Sequence, residues 1–322
     1  MSNTEISYIK MSNKINIGVV GVGKLGTYHM QKLLNHKNVN FIGICDSNKN
    51  LLLNRKQEYN VNIFNQIDDL IAECDAITVA TPTVEHFNVS KYALEKGLHV
   101  FIEKPITATL KDAIRIDSIA KSNNRIVQVG HIERFNNAFI EGLKYLDNPQ
   151  FIEIHRISPF PNRSLDIPVV MDIMIHDLDI LLSITKDNSI KKIDATGASV
   201  VTNFIDLANA RIEFESGLVA NLTASRISVK QMRKIRVFQK KSYIGIDLLD
   251  KKIDFFKIVN DKNQPIDSKS MQFDNTDALE DELNHFVNCI RDNREPLVSA
   301  PDGIAALKLG LEIEELINQK RE

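Results

Sequence analysis

The chain has 322 residues, 43% apolar and 25% charged, which excludes collagen-like, coiled-coil and disordered classes and suits two domains better than one. Forty Lys and Arg against forty-two Asp and Glu leave a formal charge of −2, so no global cationic field drives binding to nucleic acid or an anionic membrane. Three cysteines, Cys45, Cys74 and Cys289, show no C-x-x-C spacing and read as reduced thiols rather than a disulfide framework or a zinc site.

Residues 1–14 are polar and lack the apolar core of a signal peptide, and Met11 is a second candidate start. No run of 18 apolar residues occurs, so a soluble, cytoplasmic protein is expected. From there, short apolar runs alternate with helical patterns, as in a parallel sheet, with strands expected at 15–20, 39–45, 61–64, 76–80, 99–102 and 126–129. A helix over 25–35 would turn Leu25, Met30, Leu33 and Leu34 toward that sheet. After about residue 130 two-residue alternation takes over. Ala208, Ala210, Ile212 and Phe214 alternate with polar partners, Glu215, Ser216 and Gly217 turn the chain, and Leu218, Ala220, Leu222 and Ala224 alternate again: a hairpin with one buried face. Further strands are expected at 151–157, 193–201, 234–238 and 243–249, and two closing helices carry Leu279, Leu283, Phe286 and Ile290, then Ile304, Leu307 and Leu311. The expected fold is α/β: a doubly wound parallel sheet of Rossmann type over 1–130, then an α+β domain with a large, mostly antiparallel sheet over 131–322.

Gly21-Val22-Gly23-Lys24-Leu25-Gly26 follows the first strand and opens the first helix, the context in which G-x-G-x-x-G is informative. Gly21 allows the tight turn, Gly23 lets a pyrophosphate approach, Gly26 lets helix and strand pack closely, and the N–H groups at Lys24 and Leu25 face the phosphates. Asp46, twenty residues past Gly26, is placed for ribose hydroxyls and would repel a 2′-phosphate, which favours NAD over NADP, although Lys49 nearby works the other way. Thr81, Pro82 and His86, then Glu103 and Lys104, fall at the carboxyl ends of later strands and are expected to line the same crevice.

With that fingerprint, and then ATPTVEHF, HVFIEKP, VGHIERFNN and MDIMIHDLD in order, the chain resembles the Gfo/Idh/MocA family of NAD(P)-dependent oxidoreductases over nearly its whole length. The resemblance implies that Lys104, Asp172 and His176 surround nicotinamide and substrate, that the substrate is a sugar or polyol, and that the chain forms a homo-oligomer, dimer or tetramer. The residues support the site independently. Met171, Met174, Ile175, Leu178, Leu181 and Leu182 form an apolar helical stripe with Asp172 and His176 one turn apart on its flank. His176 is the candidate general base; Asp172 orients it or binds a hydroxyl, and Lys104 stabilises an alkoxide or shares the proton, with the final proton holder left open. Met174 stands where the family commonly has Gly. No metal is expected, since nothing in the spacing requires His131, His155 and His176 to converge.

The segments 130–136 and 156–163 resemble the branch of that family that oxidises the 3-hydroxyl of UDP-N-acetylglucosamine with NAD, giving a 3-oxo sugar nucleotide that an aminotransferase converts for lipid A synthesis. Arg134, Arg156, Arg163 and Arg226 offer planar forks suited to the diphosphate, Arg163 first. The run Lys230, Arg233, Lys234, Arg236, Lys240 and Lys241 reads as a charged sheet face. Two rivals stay open: an oxidoreductase of another sugar or polyol, of inositol or aldose type, and a regulator that senses NAD without catalysis.

Overall fold

In the computed structural model, which describes residues 14–160, 167–185, 189–259, 266–274 and 276–321, the alternation begins with β1 (Ile15–Val20) and α1 (Lys24–Leu34). It continues through β2 (Val39–Cys45), α2 (Lys49–Tyr59), β3 (Ile63–Phe64), α3 (Ile67–Ile71), β4 (Ala76–Val79), α4 (Thr83–Glu95), β5 (His99–Glu103), α5 (Leu110–Ser122) and β6 (Val127–Gly130). Asn48 and Thr109 cap α2 and α5 with side-chain oxygens, satisfying helix N–H groups that have no partner within the helix. The six strands pair in parallel in the order β3-β2-β1-β4-β5-β6. The order reverses between β1 and β4, so their carboxyl ends flank one crevice. Helices cover both faces, which is why β4 and β5 read as nearly continuous apolar runs.

The helix α1 is rotated from its expected setting. A Cβ on Gly26 would lie 1.8 Å from the Gly21 carbonyl oxygen, so the row of Gly26, His29, Met30 and Leu33 faces inward while Leu25 and Leu34 are exposed.

Beyond a 3₁₀ turn (Ile132–Phe135) come α6 (Asn137–Leu143) and β7 (Phe151–Ile157), then a π-helical turn (Val170–Met174) that runs into α7 (Ile175–Ile184). The second sheet is completed by β8 (Ile190–Ala198), β9 (Leu207–Phe214), β10 (Val219–Ser225), β11 (Met232–Gln239), β12 (Ser242–Asp247), β13 (Lys252–Ile258) and β14 (Ile266–Gln272). Its order is β14-β13-β12-β11-β7-β10-β9-β8, antiparallel except for the parallel pair of β7 and β10. The hairpin of β9 and β10 has the expected register, with Ala208 opposite Ala224, Ala210 opposite Leu222 and Ile212 opposite Ala220. Strand β8 starts earlier than expected, and it ends earlier because the chain after it folds around Asp206, whose Oδ2 accepts from the N–H groups of Val200, Val201 and Thr202.

Two closing helices, α8 (Ala278–Asp292) and α9 (Ala300–Gln319), return to the first sheet. Leu283, Phe286 and Val287 of α8 share a core with Ile17, Val19, Met30 and Phe101. Residues 298–299 extend the sheet past β6, where the Val129 N–H donates to the Val298 carbonyl at 3.0 Å. Helix α9 lies against α5 and β6 as well as α7 and β8. The strands of the two sheets fall on either side of residue 130, residues 298–299 return to the first sheet, and α9 lies against elements of both. Among the described residues no helix is long and apolar enough to cross a membrane, and the three cysteines form no disulfide.

Candidate active site

The three glycines of the first turn meet different requirements. Gly21 has φ +85°, and a Cβ there would lie 2.7 Å from Ala80 and Thr81 backbone atoms, so β1 and β4 approach each other only across glycine. Gly26 carries the helix contact already described. Around Gly23 no heavy atom lies within 4 Å of an added Cβ; this glycine leaves open space above the helix N-terminus, where Gly23, Lys24 and Leu25 are exposed. That space, with the first N–H groups of α1 at its floor, fits a pyrophosphate. Asp46 ends β2 beside it, accepting from the Val22 N–H through Oδ2 and the Asn48 N–H through Oδ1, each at 2.8 Å. The carboxylate is thereby fixed at the lip of the turn, partly exposed, where ribose hydroxyls can donate to it. Thr81 and Pro82 stand across the crevice at the start of α4.

His86 and Glu103 serve the crevice from behind it, which corrects their expected place among the cofactor contacts. The His86 ring is buried, with Nδ1 2.9 Å from the Pro105 carbonyl oxygen and Nε2 2.9 Å from that of Thr81, so it braces the loops after β4 and β5 together. Glu103 turns its carboxylate to His29 of α1, with Oε1 2.9 Å from Nε2. Burial alone would raise the Glu103 pKa, but the His29 hydrogen bond and the nearby charges of His29 and Lys104 hold it below its ordinary value.

Lys104 reaches across from the first sheet to the π-helical turn. Its Nζ donates to the Asp172 carbonyl oxygen at 2.6 Å and lies 3.6 Å from Asp172 Oδ1. A π turn inserts an extra residue into the helical ladder and is frequent at functional sites; here it carries Asp172 immediately before the regular helix that presents His176. Burial pushes His176 well below its ordinary pKa, and the charges of Lys104, Arg156 and Arg233 push the same way, so its imidazole is neutral. Lys104, Asp172 and His176 thus converge at one end of the crevice. His131, at the end of β6, joins them, its ring centroid 6.2 Å from that of His176. His155 does not: the alternation of β7 puts it on the opposite face from Arg156, near Glu153. Among the described residues no group of three or more His, Cys, Asp or Glu side chains is arranged to hold a metal.

The expected diphosphate forks are corrected by their partners. Arg156 is buried, with Nε donating to Asp177 at 2.8 Å and a terminal nitrogen to Glu133 at 2.7 Å. Arg134 is buried between Asp179, 3.5 Å away, and the Leu297 carbonyl, 3.2 Å away. Arg226 is fully buried, donating to Asp206 at 2.9 Å and to the Ile167 carbonyl at 2.8 Å. Guanidinium groups so engaged are scaffolding, because withdrawing one would strand a buried carboxylate. Arg163 lies outside the described residues. The cationic run is a sheet face in part: Lys234 pairs with Asp247, Arg236 with Glu153 and Arg233 with Glu133. Sequence reasoning missed Glu133, Asp177 and Asp179, although two acids at otherwise apolar helix positions were a readable sign of buried partners.

A glycine turn with room for a dinucleotide on one sheet meets a cluster of lysine, aspartate and histidine that the other sheet's helix brings to its edge. Together they define an NAD-dependent oxidoreductase of two-domain type. Comparison with known proteins agrees at both ends. Residues 15–131 match the oxidoreductase family with NAD-binding Rossmann fold, and residues 153–244 match the GFO/IDH/MocA C-terminal domain. The chain belongs to the Gfo/Idh/MocA family. It is 32% identical over 309 residues to the UDP-N-acetylglucosamine 3-dehydrogenase of Acidithiobacillus ferrooxidans, covering 92% of this chain and 95% of that protein. A solved structure of that enzyme has a TM-score of 0.89 at 31% identity, covering 95% of this chain and 98% of the other. Myo-inositol 2-dehydrogenase of Thermotoga maritima is 26% identical over 330 residues, 95% of this chain and 97% of that protein.

Proposed function

We propose that this enzyme uses NAD to oxidise a secondary hydroxyl of a sugar, and that the sugar is UDP-N-acetylglucosamine, oxidised at C3 to a 3-oxo sugar nucleotide. The observation that carries the reaction type is the junction of Lys104 with Asp172, one helical turn from a neutral His176, at the edge of the dinucleotide crevice. The substrate rests on the 32% identity to a UDP-N-acetylglucosamine 3-dehydrogenase, which spans both sheets. Bound NAD supplies the acceptor for the hydride that leaves the sugar carbon. The chain's own residues handle the proton. His176, uncharged at neutral pH, accepts it from the reacting hydroxyl, and Lys104 stabilises the negative charge that develops on that oxygen. Asp172 holds the Lys104 ammonium in place, so the cation is set before substrate arrives.

Oxidation of a secondary alcohol by NAD runs uphill at neutral pH, so an aminotransferase that removes the 3-oxo product, as on the way to lipid A, draws the reaction forward. A UDP-sugar substrate places the enzyme in the cytoplasm. The outward face of the second sheet, where Phe151, Phe238, Tyr243 and Phe256 stack in a row with centroids 5.2–5.9 Å apart, forms the contact between copies in a homo-oligomer. Purified enzyme, NAD and UDP-N-acetylglucosamine, coupled to an aminotransferase and its amino donor, should generate the absorbance of reduced cofactor. Silence in that assay alongside turnover of myo-inositol would transfer the assignment to the polyol branch represented by the Thermotoga maritima relative.

A further inference from the structure

His131 starts the 3₁₀ turn after β6, in a segment crowded with polar side chains that are almost all engaged. Glu133 accepts from Arg156 and Arg233, Arg134 meets Asp179 and the Leu297 carbonyl, and Asn136 donates to the Leu248 carbonyl. His131 departs from this pattern. It is 1% exposed, and among the described residues neither of its ring nitrogens has a hydrogen-bond partner. Leaving a buried polar group unsatisfied costs on the order of 1–3 kcal/mol. An apolar side chain would fill the same space without that cost, so packing does not account for a histidine here.

Its surroundings point to a ligand. The ring stands edge-on to His176, with planes at 89° and centroids 6.2 Å apart, and His176 Nδ1 also lacks a partner among the described residues. Burial, then the charges of Lys104 and Arg134, push the His131 pKa down to about 3. The ring therefore stays neutral at working pH, with one N–H to donate and one lone pair to accept.

We propose that His131 contacts the substrate, hydrogen-bonding a polar substituent on the carbon next to the one oxidised and so directing the reacting hydroxyl to His176. The inference rests on the sugar or polyol reading above, and the experiment separates the two. Wild-type enzyme is first assayed with UDP-N-acetylglucosamine and with myo-inositol; turnover of neither overturns both readings. With whichever substrate is turned over, His131→Leu should lower kcat/KM by roughly tenfold, mainly through KM, because one substrate hydrogen bond is lost. His131→Asn, which retains a donor and an acceptor, should recover part of that loss. NADH affinity, read from the fluorescence of the bound cofactor, should stay within about twofold. The melting temperature of His131→Leu should be unchanged or higher, since two unpartnered polar atoms leave the interior. Wild-type kcat/KM in His131→Leu, a fall in its melting temperature, or a loss of NADH affinity in place of substrate affinity would overturn the assignment.

Discussion

The cofactor half and the substrate half of this enzyme reach their function by opposite means. At the glycine turn the work is done by backbone: one position needs a positive φ, one lets a helix touch a strand, and one leaves space for phosphate. All three lie within six consecutive residues, and Asp46 stands beside them with its carboxylate fixed by the Val22 and Asn48 N–H groups. The substrate half has almost no backbone recognition. Lys104, His131, Asp172 and His176 come from three separated stretches of chain, and the same stretches carry buried ion pairs: Glu133 with Arg156, Arg156 with Asp177, and Arg134 with Asp179. A backbone site fails through a misplaced Cβ, whereas a side-chain site fails when its buried scaffold loses one member.

The comparison is tested most severely at Lys104. Lys104→Met should cut kcat by roughly two to four orders of magnitude while NADH affinity is preserved, since charge on the substrate oxygen develops only on the way to the transition state. Equal losses of kcat and NADH affinity would instead place Lys104 on the cofactor side of the divide. Next in size is Arg156→Met, which strands Glu133 and Asp177 and should cost about 3–5 kcal/mol in urea unfolding. Unchanged stability with weakened sugar-nucleotide binding would return Arg156 to the substrate.

In the cofactor half, Gly23→Leu should leave the melting temperature almost untouched because its Cβ enters open space, yet weaken NADH binding by on the order of 100-fold by filling the phosphate cradle. Gly26→Ala should do the reverse and destabilise the fold, its Cβ driven onto the Gly21 carbonyl. The chain has no Trp, so emission from bound NADH is read against a weak protein background.

The smallest effect belongs to Glu282 of α8, a buried acid whose two oxygens have no partner among the described residues. Burial first, then the charges of Glu103, Asp179 and Glu133, hold its carboxyl well above the ordinary range. The folded state keeps this proton while the unfolded chain releases it above about pH 4.3, so stability is lost as pH rises from there toward the folded pKa. Glu282→Gln should therefore stabilise the enzyme more at about pH 6 than at about pH 5, by ~1 kcal/mol. An equal gain at both values would show that the carboxyl ionises freely in the folded protein.

How much of this was legible varied with the distance over which the cause acts. Strands 15–20, 39–45 and 151–157 coincide with β1, β2 and β7 because each has apolar residues at the spacing its own burial demands. The hairpin was readable to its register for the same reason. Strands β13 and β14 were missed: β14 is exposed along nearly its whole length, and an edge strand with no buried face prints no alternation. The π turn was missed as well, since its shift from i+4 to i+5 bonding is imposed by neighbours and leaves no mark in hydrophobic period. Arg134, Arg156 and Arg226 look like ligand forks in the sequence because a cation's partner cannot be read without knowing which carboxylates share its side of the sheet.

Residue order alone determined what depends on neighbours within a dozen positions: the alternation of strand and helix, the glycine turn, and the apolar stripe flanked by Asp172 and His176. The tertiary structure decided which charges are buried together, how α9 joins the two sheets, and which histidines face one another. The physical reason is range. Backbone conformation and amphipathic period are local preferences that a sequence displays directly, while desolvation and ion pairing depend on groups far apart in the chain that meet only after it has folded.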